Sequence, residues 1–225
     1  MNGTLQLAID TSASRPAVAI LLGERILADW LGPGNLQHHE TLLAGVDSVL
    51  KETGKKLSDL GFLSVGIGPG MFTGLRIGVV TAKFLADPLG IPCVPVSSLI
   101  ALALQSERVG GPKKVWAVSD ARSKRVYALG LNGFASDFSP PEGEEIALSP
   151  EEAAKSMRAG ELLLGEGAQL YRELWPAGTD ILPEETHALR ASTVGRIGAK
   201  RYALGLKCSA TELEPKYLKT GQPHL

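Results

Sequence analysis

Gly66-Ile67-Gly68-Pro69-Gly70-Met71-Phe72-Thr73-Gly74-Leu75-Arg76-Ile77-Gly78 is the stretch whose reading decides the fold. The apolar run before it, Gly61 to Val65, reads as a buried strand. Leu75 to Ala86 reads as a helix stopped near Asp87-Pro88 by the proline. Glycines between a strand and a helix let backbone approach another surface, and free N–H groups at the helix start favour an anion. A dinucleotide GxGxxG loop would need glycine at Met71, however, and a P-loop would need a Gly-Lys-Ser/Thr ending. Neither is present. Gly74, Gly78, Ala82 and Ala86 recur every four residues and form one small stripe along the helix. That stripe can pack against its own sheet, or it can let a helix of another chain come close.

Working outward, Thr4 to Asp10 is a strand ending on aspartate, followed by the turn Thr11-Ser12-Ala13-Ser14-Arg15-Pro16. Ala17 to Leu22 and Arg25 to Leu31 are strands joined by a Gly23-Glu24 turn. Asn35 is a candidate N-cap for a helix with Leu42, Leu43, Val46, Val49 and Leu50 at helical spacing, ended by Gly54. After the central helix, Ile91 to Val96 is a strand and Ser98 to Glu107 a helix. Gly110-Gly111-Pro112 reads as a linker, and beyond it the pattern restarts. Val115 to Asp120 is again an apolar strand ending on aspartate, with strands at Arg125–Leu131 and Glu145–Leu148. Ser149-Pro150-Glu151-Glu152 is a capping box opening a helix to about Arg158. A strand and glycine turn, Glu161 to Gly167, lead to a helix near 168–174, and a last helix spans about Ser192 to Leu204. Asp10 and Asp120 stand in matching places 110 residues apart. The expected fold is therefore α/β and two-lobed, of the actin/Hsp70/sugar-kinase type with duplicated RNase H-like domains, over residues 1–109 and 113–225.

The 225 residues suffice for a full core, and 44% hydrophobic with 21% charged residues is ordinary globular material. A net charge of −1 supplies no global field for nucleic acid or an anionic membrane. One local basic bias runs from Arg190 to Lys219, where seven Lys/Arg face Glu212 and Glu214; it reads as a solvated helix face or as an RNA contact. No apolar run approaches the ~20 residues of a membrane helix. Cys93 and Cys208 form no CxxC. With no basic-plus-apolar leader at the N-terminus, a reducing cytoplasm is the expected compartment.

In a two-lobed fold of this type ATP lies between the halves. Asp10-Thr11-Ser12, Asp120-Ala121-Arg122 and Gly165-Glu166-Gly167 stand where its phosphate loops and adenosine turn would be. Two carboxylates could hold Mg²⁺ through waters there, which would make the chain an ATP-dependent phosphotransferase of the sugar-kinase kind. The competing reading is turn chemistry, in which Asp and Ser cap backbone after a strand. Arg15-Pro16 and Ala121-Arg122 replace the glycines a phosphate loop uses, and weigh towards the second reading. A helical metal pair needs His at i and i+4, but four residues beyond His38 and His39 stand Leu42 and Leu43. No metal site and no catalytic residue is expected. No serine sits in a GxSxG elbow, and His187 and His224 have no carboxylate or cysteine beside them in sequence.

The central stretch resembles the Gly-Pro-Gly-Ser-Phe-Thr-Gly-Leu/Val-Arg-Ile-Gly signature of the TsaB (YeaZ) family, with Met71 where that family has serine. Leu7 to Ser12 is similar to its opening Leu-Ala-Ile-Asp-Thr-Ser/Ala, and His38 falls where it has a histidine opening the first helix. Asp120-Ala121-Arg122 with Val126-Tyr127 resembles its Asp-Ala-Arg…Glu-Val-Tyr, although Arg125 replaces the acidic residue; Pro215 to Lys219 resembles its closing Pro-x-Tyr-Leu-Arg. The resemblance implies a non-catalytic scaffold in making threonylcarbamoyladenosine in tRNA. It implies a TsaD-type paralogue as partner, a TsaE-type ATPase in the complex, and a homodimer when the chain is alone. Any tRNA contact would come through the complex, and ATP/ADP and metal are expected on the partner subunit. Docking is implied through the first domain's helices, at His38, Leu42, Val46, Phe72, Thr73, Gly74, Arg76, Ile77, Gly78, Thr81 and Ala82.

Overall fold

The computed structural model describes residues 3–34, 38–108, 113–132 and 144–218, the side chains of 38–40, 107 and 108 excepted. Asn35, the 110–112 linker, Lys219 and His224 lie outside the described residues. The first half runs β1 (Leu5–Asp10), β2 (Ala17–Leu22), β3 (Arg25–Leu31), α1 (His38–Thr53), β4 (Phe62–Gly66), α2 (Phe72–Leu89), β5 (Cys93–Val96) and α3 (Ser98–Leu104). The second runs β6 (Val115–Asp120), β7 (Val126–Leu131), β8 (Glu145–Leu148), α4 (Pro150–Ala154), β9 (Leu162–Leu164), α5 (Glu166–Leu170), β10 (Asp180–Ile181) and α6 (Ala191–Ala203). The sheets are ordered β3-β2-β1-β4-β5 and β8-β7-β6-β9-β10. In each, the first three strands pair antiparallel and the fourth and fifth add in parallel. This repeated topology is the two-lobed actin/sugar-kinase architecture.

The residues of β1 alternate, but their burial does not: the strand is covered on both faces and all six of its residues are buried. Leu5, Leu7 and Ile9 share a core with Leu42 and Val46 of α1 and Val79 of α2. On the other face α6 approaches through glycines: a Cβ at Gly195 would lie 2.4 Å from Leu21, and one at Gly198 would lie 1.8 Å from Ser64 Oγ. Gln6 fills the polar gap, donating to the Gly195 carbonyl at 3.0 Å and accepting from Ser64 Oγ at 2.5 Å. α6 follows the second sheet in sequence yet packs on the first, while Leu99 and Leu102 of α3 join Val115, Leu129 and Leu164 of the second. The closing helix of each half thus crosses over.

After α6 the chain returns to the first sheet. Cys208 pairs with Cys93 at the edge of β5 through two backbone hydrogen bonds of 2.9 Å, and Ala210 and Leu213 enter the first core. Two cysteines far apart in sequence are therefore neighbours, both as free thiols. Burial, with Cys208 beside it, pushes the Cys93 thiol up to about 12. α2 does not stop at Asp87: it continues through Pro88 to Leu89, and Gly90 caps it at φ 62°. Proline in the last turn removes one donor, to the carbonyl of Phe84, whose residue is exposed. α4 ends at Ala154 rather than at Arg158, and α5 starts two residues before the expected position, at Glu166.

Candidate functional site

The turn after β1 is closed upon itself. Asp10 Oδ1 accepts from Ser12 N at 2.8 Å and Ser12 Oγ at 2.6 Å, and Oδ2 accepts from Ser98 Oγ, at the start of α3, at 2.7 Å. Thr11 Oγ1 donates to the Gly74 carbonyl at 2.7 Å. The glycines of the central stretch fit around this turn. A Cβ at Gly66 would lie 1.8 Å from Asp10 Oδ2, at Gly70 2.4 Å from the Ser12 carbonyl, and at Gly78 2.2 Å from Thr11 Oγ1. Met71 N–H donates to the Ser12 carbonyl at 2.8 Å. The glycines of this loop let two parts of the chain touch, which is close backbone approach.

The second lobe's turns face the same place. Arg122, Ser123 and Lys124 take left-handed φ of 63°, 49° and 55°, and Arg122 N–H caps Asp120 Oδ1 at 3.0 Å. Arg122 Nη2 reaches Met71 Sδ across the lobes at 3.4 Å. Gly165 and Gly167 are packing glycines, since a Cβ there would meet the Val118 carbonyl at 2.3 Å and Val118 Cγ1 at 2.9 Å. Glu166 Oε1 crosses to the first lobe, accepting from Ser14 N at 3.2 Å and from Ser14 Oγ. His187 Nδ1 accepts from Gly165 N–H at 3.0 Å, and burial holds this imidazole below its ordinary pKa against the opposing charge of Glu184. Among Ser12, Pro69, Ser98, Ser119, Glu166 and His187 the lobes leave a cavity of about 10 Å³, room for about one water molecule. In this closed arrangement the turns serve each other.

The basic run is also engaged within the chain. Arg190 pairs with Asp29 at 2.9 Å, Lys200 with Glu24 at 3.0 Å and Lys216 with Glu145 at 2.9 Å, while Lys207 lies over the Tyr202 ring. Among the described residues no group of three or more His, Cys, Asp or Glu could hold a metal ion, and no helix is long and apolar enough to cross a membrane.

α2 separates the two readings of its small stripe. Gly74, Gly78, Ala82 and Ala86 are buried against their own sheet, as are Leu42 and Val46 of α1. Leu42, Val46 and Ala82 lie inside the first core, and Gly78 is against Thr11. The open face lies two residues out of phase. Phe72, Val80 and Phe84 are 53%, 62% and 74% exposed, with Arg76 between them at the same four-residue spacing and Leu43 of α1 55% exposed. Thr73 is exposed too, Ile77 and Thr81 half-buried; His38 opens α1.

A family model described as TsaD, tRNA N6-adenosine threonylcarbamoyltransferase, matches residues 35–156. The tRNA threonylcarbamoyladenosine biosynthesis protein TsaB of Escherichia coli is 31% identical over 95% of this chain and 94% of its own length. The chain belongs to the TsaB family. The Bacillus subtilis TsaB is 33% identical over 75% of the chain and 73% of its own length. Among solved structures, YeaZ from Pseudomonas aeruginosa superposes with a TM-score of 0.81 at 30% identity, over 96% of this chain and all of the other. The ethanolamine utilization protein EutJ of Carboxydothermus hydrogenoformans matches at 0.51 and 9% identity over 88% of this chain and 91% of its own, a likeness of fold alone. In this TsaB-family chain the sequence reading left out Val80 and Phe84, and took Leu43 with the apolar stripe of the first helix and Tyr217 with the closing motif rather than with the exposed face. The signal existed: Phe72, Val80 and Phe84 repeat at the spacing of the small stripe and are too large for an interior already filled by it.

Proposed function

We propose that this chain is a non-catalytic partner subunit that binds and activates a TsaD-type paralogue in forming N6-threonylcarbamoyladenosine at position 37 of tRNA. The observation that carries the proposal is the contrast between a closed interlobe turn cluster and an open apolar face on α2 and α1. A phosphotransferase would require Asp10 and Asp120 to be free for Mg-ATP, whereas Asp10 is spent on Ser12 and Ser98. Among the described residues, the face Leu43, Phe72, Val80 and Phe84 has no cover comparable to that of the stripe behind it. The partner suits this face because the transferase family model spans residues 35–156, which contain α1 and α2. A TsaD-type subunit therefore carries counterparts of the same helices, and two similar helix pairs can meet face to face.

Activation works through differential contact: docking stabilises the partner's active arrangement in proportion to how much better that arrangement fits the face. The same surface closes a homodimer when the chain is alone. Nucleotide, metal and the TsaE-type ATPase belong to the partner side of the assembly, tRNA is contacted through the complex, and the compartment is the cytoplasm. Size-exclusion chromatography with light scattering tests this, using the chain alone and mixed with its TsaD-type paralogue. A dimer that converts to a one-to-one complex is expected; a chain indifferent to the paralogue overturns the proposal.

A further inference from the structure

The segment after α6 lies along α2. Lys83 Nζ donates to the Thr211 carbonyl at 3.1 Å, and Tyr217 sits at the other end of the helix, against Phe72. Its ring meets Phe72 with centroids 5.1 Å apart, and its hydroxyl accepts from Arg76 Nε at 3.2 Å. Arg76 in turn covers the Phe72 ring at 3.9 Å. From Thr211 to Tyr217 the chain thus runs antiparallel to α2 and forms a rim to its outer face.

The rim is fastened at two levels. Lys216 N–H donates to the Ile67 carbonyl at 2.7 Å in the glycine loop, and Lys216 Nζ pairs at 2.9 Å with Glu145 of the second sheet. Glu145 also accepts from Ser97, the N-cap of α3. Leu213, one turn earlier, is buried in the first core. Phe72 and Arg76 are the first and fifth residues of α2, so without Tyr217 both side chains would be free to sample other rotamers. Ordering them beforehand lowers the entropic cost of association.

We infer that Glu214–Leu218 is part of the docking surface, with Tyr217 as the residue that positions Phe72 and Arg76 for a TsaD-type partner. This rests on the docking reading of α2. The segment sets an aromatic ring beside Arg76 at the end of a face that is otherwise aliphatic and Phe, so the partner patch opposite it carries a carboxylate or carbonyl for Arg76 beside an apolar side chain. The tail also joins the docking face to the second lobe through Lys216 and Glu145.

The test is isothermal titration of the full chain with its TsaD-type paralogue, comparing wild type, Tyr217→Ala, Tyr217→Phe and Phe84→Asp, with thermal melts on each. Tyr217→Ala is expected to weaken pairing about tenfold with an unchanged melt, because the ring is exposed and supports no core. Tyr217→Phe keeps the ring on Phe72 and should stay within about threefold of wild type, a split that a merely structural tail would not produce. Phe84→Asp, at the far end of the face, is expected to weaken pairing about a hundredfold. If Phe84→Asp pairs normally, the docking reading itself fails. If Phe84→Asp pairs about a hundredfold more weakly while Tyr217→Ala binds like wild type, the docking reading stands and the inference about Tyr217 is overturned.

Discussion

The two faces of α2 carry the same spacing and opposite chemistry. Inward, Gly74, Gly78, Ala82 and Ala86 bring the helix axis close to the sheet; outward, Phe72, Arg76, Val80 and Phe84 stand largely free of it. A four-residue period marks a stripe on a helix but does not say what covers it. What separates the faces is side-chain volume against the room available. The turn Asp10-Thr11-Ser12 leaves none at Gly78, so small residues face the chain and large ones are left for something else.

Substitutions on the two faces should therefore fail in different ways. Gly78→Leu is expected to cost about 3 kcal/mol of folding stability, at the top of the overpacking range, measured by urea unfolding. If the variant folds normally and loses only pairing, the inward assignment is broken. Phe84→Asp should do the reverse: stability within about 0.5 kcal/mol of wild type, and pairing weakened about a hundredfold, or about 2.7 kcal/mol. Asp10→Ala sharpens the inward side, because it leaves the Ser12 amide and the Ser12 and Ser98 hydroxyls without their acceptor. A loss of about 2 kcal/mol is expected in the same urea experiment, and retention of full stability would reopen Asp10 as a ligand-binding carboxylate.

The smallest effect concerns pH. His187 is held below its ordinary pKa by burial, so between the folded and unfolded values the unfolded chain binds more protons. Stability should fall as pH drops from 7 through the unfolded value near 6.5 and on towards the folded pKa. His187→Gln should flatten that slope in urea midpoints taken from pH 7 to pH 5. Phe84→Asp should keep the His187 contribution to it, since its side chain is on the outer face.

Much of the fold was legible from the chain alone, because long apolar strands and punctuating Gly and Pro carry their own signal. β8 is found at Glu145–Leu148 as expected, and the restart at β6 announces the second sheet. β10 was not legible: two residues carry no period. Nor was the crossing of α6, whose Gly195 and Gly198 have meaning only against Ser64 and Leu21. At the candidate site, Asp10 and the glycine loop were both visible as motifs, yet nothing local says that the glycines exist to receive the aspartate. The aliphatic and aromatic outer stripe was readable but was overshadowed by the glycine signal beside it. The contact of Tyr217 with Phe72 joins positions 145 apart and has no local signature.

The crossing of α6 has a consequence for how the protein comes into being. On the ribosome, β1 to β5 emerge with one face ready to be covered by α1 and α2. The other face carries the Gln6 amide, which has the Gly23 carbonyl and Ser64 Oγ beside it, but its further acceptor at Gly195 is still about 100 residues from being made when β5 appears. Through that interval an almost complete sheet offers to solvent the apolar surface that α6 later covers. The first lobe is thus finished last, by residues of the second, and a nascent chain stalled between the lobes is the form most exposed to aggregation and chaperone capture.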